Sequence, residues 1–100
     1  MEVQILVKKN WTEKAIIADR QGNPEYLEVA IVQAEGLEDA FLRTQNLVCS
    51  WVENPGVVLN KENLIEHEGE LVMRSTMMGD RFVMDGKTYE ADFVGFTEVA

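Results

Sequence analysis

The chain has 100 residues, 46% of them hydrophobic, which is enough apolar material for one core and too little for two, so residues 1–100 are expected to form a single domain. Eighteen acids against nine bases leave a formal charge of −9, which argues against a nucleic-acid backbone or an anionic bilayer as direct partner. Cys49 is the single cysteine and cannot close a disulfide within the chain, and residues 1–10 turn to charge after a few apolar positions; neither an oxidising compartment nor a membrane span is expected, and a cytosolic location is.

Val3, Ile5 and Val7 alternate over about residues 2–9 and predict a first strand with one apolar face. The run Ala15, Ile16, Ile17, Ala18 predicts a second over 14–19, and Arg20-Gln21-Gly22-Asn23-Pro24 has the chemistry of a turn. A third strand follows, with Leu27, Val29 and Ile31 on one face and Tyr26, Glu28 and Ala30 on the other. At 100° steps, Leu37, Ala40, Phe41, Thr44, Leu47, Val48, Trp51 and Val52 fall within one arc of roughly 140°, which predicts a long amphipathic helix over 37–53. Glu35, Glu38 and Asp39 suit the dipole at its start, and Asn54-Pro55-Gly56 stops it. Leu42 and Cys49 sit on the flank of the stripe, where a second element is expected to cover them.

After a short apolar run at 57–59, the polar segment 60–69 reads as a loop or a helical turn. The rest reads as a β-meander over 70–76, 81–84 and 87–99, with Asp85-Gly86 as a turn dipeptide and Gly95 as a bulge or close backbone contact where the alternation switches sides. The expected class is α+β: an antiparallel sheet packed against one long amphipathic helix, with a C-terminal meander.

No chemistry-bearing constellation stands out. His67 is the only histidine and lies among carboxylates, with no second nitrogen ligand and no paired thiol, so the reading is a solvated acidic loop and no metal or other cofactor is expected. Cys49 has no neighbouring cation in sequence to lower its pKa and reads as a half-buried structural thiol. Nothing surrounds Ser50 or Ser75 that resembles a nucleophile elbow, and no catalytic residue is assigned.

Charge distribution carries more. Glu25, Glu28, Glu35, Glu38 and Asp39 lie between Gln21 and Leu42 without an intervening lysine or arginine, and Glu62, Glu66, Glu68 and Glu70 form a second acidic stretch. The plain reading is a solubilising exterior; the functional one is an acidic face that meets a basic protein surface. Met73, Met77, Met78 and Met84 crowd one region, and thioethers suit core gaps or an adaptable contact patch, with the core the more common use.

Two stretches, LEDAFLRTQNLVCSWVENPGV and RSTMMGDRFVMDGKTYEADFVGFTEV, resemble small proteins of bacteriophages and plasmids that share a threonine-x-asparagine, tryptophan, asparagine pattern followed by arginine-serine-threonine, glycine-aspartate and glycine-phenylalanine. The ending also resembles the YodL-like domain of large mobile-element proteins. The pattern falls on Thr44, Asn46, Trp51, Asn54, Arg74, Ser75, Thr76, Gly79, Asp80, Gly95 and Phe96, and departs from it at Met77 and Met78, where a small residue and valine are more usual. The resemblance implies a mobile-element protein acting inside a bacterial cell. An apolar core does not explain Asn46 or Arg74, so Asn46, Arg74, Ser75 and Asp80 are a candidate recognition cluster. The expected function is non-enzymatic: binding and modulating a host protein with a basic surface, such as a nucleic-acid enzyme or a defence component, as a monomer or homodimer. An immunity or antitoxin protein and a self-associating virion or assembly component are the alternatives.

Overall fold

In the computed structural model, which describes residues 1–8, 26–47 and 49–99, alternation in the sequence builds β1 (Glu2–Lys8) as expected, with Val3, Ile5 and Val7 all buried. The expected strand at 14–19 and the turn at 20–24 lie outside the described residues, as do Glu25 and Val48. β1 pairs antiparallel with β2 (Tyr26–Gln33) on one side and with β6 (Arg81–Met84) on the other. β3 (Val57–Leu59) extends the sheet beyond β2, and β7 (Lys87–Ala91) and β8 (Phe96–Val99) extend it beyond β6. The order is β3-β2-β1-β6-β7-β8, and a separate hairpin joins β4 (Ile65–His67) to β5 (Glu70–Val72).

β2 departs from simple alternation. Ile5 lies opposite Ala30 and Leu6 opposite Glu28, so Val29 is an extra residue in a β-bulge. The bulge flips the faces: Val29, Ala30 and Val32 are all buried, and Ile31 turns to the other side of the sheet, which corrects the expected grouping of Leu27, Val29 and Ile31. Carbonyls at the bulge are satisfied from the chain after β3, Glu28 O by Asn63 Nδ2 at 2.7 Å and Val29 O by the Asn60 amide at 2.8 Å.

The expected long helix is corrected. The helix α1 covers only Leu37–Arg43, seven residues, and a separate 3-10 turn spans Trp51–Glu53. Thr44 ends α1, because its hydroxyl donates back to the Ala40 and Phe41 carbonyls, both at 3.0 Å, while the chain beyond is claimed by bonds to a distant segment. Part of the expected stripe is therefore absent: Leu47 is 74% exposed, and Leu42 is 60% exposed with nothing over it among the described residues. Among the described residues the fold is dominated by sheet, with one short helix, and is not a sheet laid against one long amphipathic helix.

The meander changes too. Strand character at 70–76 stops after Val72, and the chain at 87–99 is two strands joined by a turn at 92–95, in which Gly95 supplies a positive φ of 71° rather than a bulge. Segment 60–69 contains a second 3-10 turn at Lys61–Asn63 as well as β4.

One face of the six-stranded sheet carries the core, where Val3, Ile5, Val29, Val32 and Phe82 pack with Ala40, Trp51, Val52 and Met73 from the elements above. Phe41 of α1, Phe82 of β6 and Phe96 of β8 form a triangle of tilted and edge-on rings with centroids 5.4–6.3 Å apart, which ties the helix to the β6–β8 half of the sheet. No helix among the described residues is long and apolar enough to cross a membrane.

Candidate functional site

Of the residues singled out by the resemblance, Thr44, Asn46 and Trp51 meet Arg74, Ser75 and Thr76 on the extended segment 73–76, whereas Gly95 and Phe96 lie apart at the β7–β8 turn and in β8. Segment 73–76 pairs with no strand among the described residues, and its four carbonyls take side-chain donors. Asn46 Nδ2 donates to Met73 O at 2.9 Å, Trp51 Nε1 to Arg74 O at 2.8 Å, Arg74 Nη1 to Ser75 O at 2.9 Å and Gln45 Nε2 to Thr76 O at 3.0 Å. In return, Ser75 Oγ accepts from the Asn46 amide at 2.7 Å, and the Thr76 amide donates to Thr44 O at 3.0 Å. The buried hydroxyls of Thr44 and Thr76 share a 2.6 Å bond, and Asn46 Oδ1 also accepts from the Trp51 amide at 2.9 Å. Asn54 fixes the far end of this stretch by donating to Arg43 O at 2.8 Å.

Arg74 and Asp80 form the second half of the lattice. Two guanidinium nitrogens meet the two carboxylate oxygens at 2.6 and 2.8 Å, with the Arg74 side chain 14% exposed and that of Asp80 not at all. Asp80 also accepts from the amides of Lys8 at 3.0 Å and Met77 at 2.8 Å, so it holds the 74–80 loop and the end of β1 together. The candidate recognition cluster Asn46, Arg74, Ser75 and Asp80 is thus brought together, and most of its polar groups are bonded within the fold, although Asn46 is exposed and the buried Arg74 Nε has no partner among the described residues.

The acidic set separates. Glu28 lies opposite Leu6 on the face of the sheet away from the core, where it accepts from Gln4 Nε2, while Glu35, Glu38 and Asp39 belong to α1 and the chain before it. Asp39 accepts from the Glu35 amide at 2.9 Å and from Arg43 Nε at 2.8 Å, and these bonds, the amide first, hold its carboxyl below the ordinary range. Glu25 lies outside the described residues, so the five do not make one surface among those described. The side chains of Glu66 and His67 also lie outside the described set, and no group of three or more metal-ligating side chains occurs within it.

Cys49 is exposed, with its Sγ 3.5 Å from Asn54 Oδ1; it is not the half-buried thiol a helix flank would have made, because the helix ends six residues earlier at Arg43. The methionines divide. Met73 is buried and Met84 packs against the core, whereas Met77 and Met78 are 38% and 49% exposed.

The two most exposed large apolar side chains among the described residues lie at the β7–β8 turn, which the expectation of one unbroken strand concealed. Asp92 builds the turn: its amide donates to Gly95 O at 2.9 Å, and its carboxylate accepts from the Phe93 amide at 2.7 Å and the Thr97 hydroxyl at 3.0 Å. Those bonds, the Phe93 amide first, hold its carboxyl below the ordinary range. The turn presents Phe93 and Val94 at 87% and 85% exposure. Beside it lies a groove of about 370 Å³, floored by Phe41, Ala91 and Phe96, walled by Met78 and Phe93, and rimmed by Glu38 and Asp92. A second groove of about 450 Å³ adjoins it, sharing Met78, Ala91 and Asp92 and including Lys8 and Glu90. The sequence did hold a signal for this turn: Asp92 and Gly95 bracket the point where apolar residues appear on the polar side.

On the far face of the sheet, Arg81 stacks over Tyr26 at 4.3 Å from the ring centroid and pairs with Glu90 at 3.2 Å. The Tyr26 hydroxyl lies 2.9 Å from Gly79 O and 3.1 Å from Glu90, with its proton able to serve either. Burial, opposed by Arg81 and reinforced by Glu90, pushes its pKa up to about 12. No family model, curated protein or solved structure matches the chain.

Proposed function

We propose that this is a small acidic, non-enzymatic accessory protein of a phage or other mobile element, which works in the cytoplasm of a bacterial host by binding and modulating a host protein with a basic surface. A nucleic-acid enzyme or a defence component is the kind of partner meant; an immunity or antitoxin protein that neutralises one toxin is an alternative reading. The observation that supports it is the β7–β8 turn, where two large apolar side chains are held 87% and 85% exposed beside a carboxylate. A rigid apolar tip in an acidic surround is suited to a protein surface of opposite charge: the apolar contact supplies affinity, and a net charge of −9 speeds encounter and selects partners. Self-association is the second reading, favoured by the same exposed tip; like charge on two copies works against it at low salt.

Affinity capture from bacterial lysate at low and high salt, read by mass spectrometry, tests the proposal. A stoichiometric basic partner, held at low salt, weakened at high salt and lost in the Phe93→Ser/Val94→Ser double variant, is the expected result. Recovery of the bait alone, or a partner indifferent to the double variant, contradicts it.

A further inference from the structure

The groove between α1 and the β7–β8 turn has a more specific chemistry than an acidic surface. Its lining is largely apolar, with Phe41, Phe93 and Phe96 beside the small Ala91. Its walls differ in stiffness: Met78 is half exposed and pliable, whereas Phe93 stands on a turn fixed by the Asp92 bonds and the positive φ of Gly95. Glu38 and Asp92 stand on its rim, and no lysine or arginine is among the lining residues. Glu38 carries no ion pair among the described residues, and the Asp92 carboxylate keeps acceptor capacity beyond its two internal bonds. At about 370 Å³ the groove is at the small end of ligand sites, and the apolar surface continues past it onto the tip, which fits one inserted side chain with chain running on either side.

We infer that this groove docks an extended segment of a partner protein, with one aromatic or large aliphatic side chain inserted between Phe41, Met78 and Phe96 and flanking lysines or arginines set against Glu38 and Asp92. The inference rests on the partner-binding reading above and adds where and by what residues the partner is held. Charge complementarity selects the occupant: two rim carboxylates, with no lysine or arginine among the described residues that line the groove, disfavour an acidic segment, and a neutral apolar segment would leave both unpaired under the contact. A second copy of this chain is a poorer fit, since the acidic excess that lines the groove is shared by the whole molecule.

The test is a titration of the ¹⁵N-labelled full chain with the peptide acetyl-Lys-Leu-Lys-Phe-Lys-Leu-Lys-amide, beside one with serine in place of phenylalanine and one with glutamate in place of every lysine. Expected shifts concentrate at Glu38, Phe41, Met78 and residues 92–96; the serine peptide binds about tenfold more weakly and the glutamate peptide leaves the spectrum unchanged. Met78→Arg, at an exposed position whose spectrum reports that the fold is intact, is expected to abolish the localised shifts, and Glu38→Gln to weaken binding and flatten its salt dependence. Shifts spread over all acidic positions, equal for the phenylalanine and serine peptides, overturn the inference. A host partner captured through Phe93 but unaffected by Met78→Arg would overturn the groove while leaving the partner-binding reading in place; loss of the partner itself would overturn that reading.

Discussion

Asp80 illustrates how a residue that attracts functional attention is consumed by structure. Its fully buried carboxylate accepts four hydrogen bonds, two from Arg74 and one each from the Lys8 and Met77 amides. Removing its charge strands the guanidinium, so Asp80→Asn is expected to cost about 3–5 kcal/mol, read as a lower urea midpoint with little change in slope. Tyr26 gives a pH signature. With its folded pKa raised to about 12 and an unfolded value near 10, the folded state keeps a proton that the unfolded state loses; its contribution is present below pH ~10 and is lost as pH rises from ~10 towards 12. Absorbance titration of the phenols should show a late-ionising component that Tyr26→Phe removes, and that variant should lose less stability across the same interval. Burial of Thr44 and Trp51 was legible from spacing, since both fall on the apolar stripe and both are fully buried. Their hydrogen-bond partners were not, because Thr76 and the Arg74 carbonyl lie 32 and 23 residues away.

At the scale of elements, the same long-range bonds explain why local pattern overestimated the helix. The apolar period continues through Trp51, yet Gln45 and Asn46 donate to carbonyls of segment 73–76 and the Thr44 carbonyl accepts from the Thr76 amide, bonds that an uninterrupted helix could not make. Asn46→Ala is expected to leave Met73 O and the Trp51 amide without partners and to cost about 2–3 kcal/mol by chemical denaturation. Alternation predicted β1 correctly because nothing interrupts it, whereas in β2 a single bulged residue, Val29, moved Ile31 to the opposite face. The turn at 92–95 was read as strand because Phe93 and Val94 are strand formers; the Asp92 bonds decide otherwise. Those bonds make the tip acid-sensitive. The Asp92 carboxyl is held below its ordinary range, so its support is present above pH ~4 and is lost as pH falls through the folded value. Amide shifts of Phe93 and Thr97 should therefore move together with a midpoint below that of an aspartate without such hydrogen bonds, and Asp92→Asn should abolish the transition.

For the molecule as a whole, charge and apolar exposure point the same way although they come from different levels of the chain. The charge of −9 is readable from composition; the location of the surface it serves is not, because that depends on α1, the 77–79 loop and the β7–β8 turn meeting at one end of the sheet. The acidic residues chosen by proximity in sequence, Glu28 and Glu38 among them, land on different sides of the sheet, and the polar residues chosen by pattern are bonded inward. The Asn46, Trp51, Arg74 and Asp80 lattice holds the fold, and the Phe93 end is the surface proposed to contact a partner.

Photo-crosslinking in bacterial cells, with p-benzoylphenylalanine placed in turn at Phe93 and at Thr88, tests that division most directly, since Thr88 pairs with Val83 on the face of the sheet away from the core. The account predicts a discrete adduct with one basic host protein from position 93 and none from position 88. An adduct from position 88 with none from position 93 would contradict it.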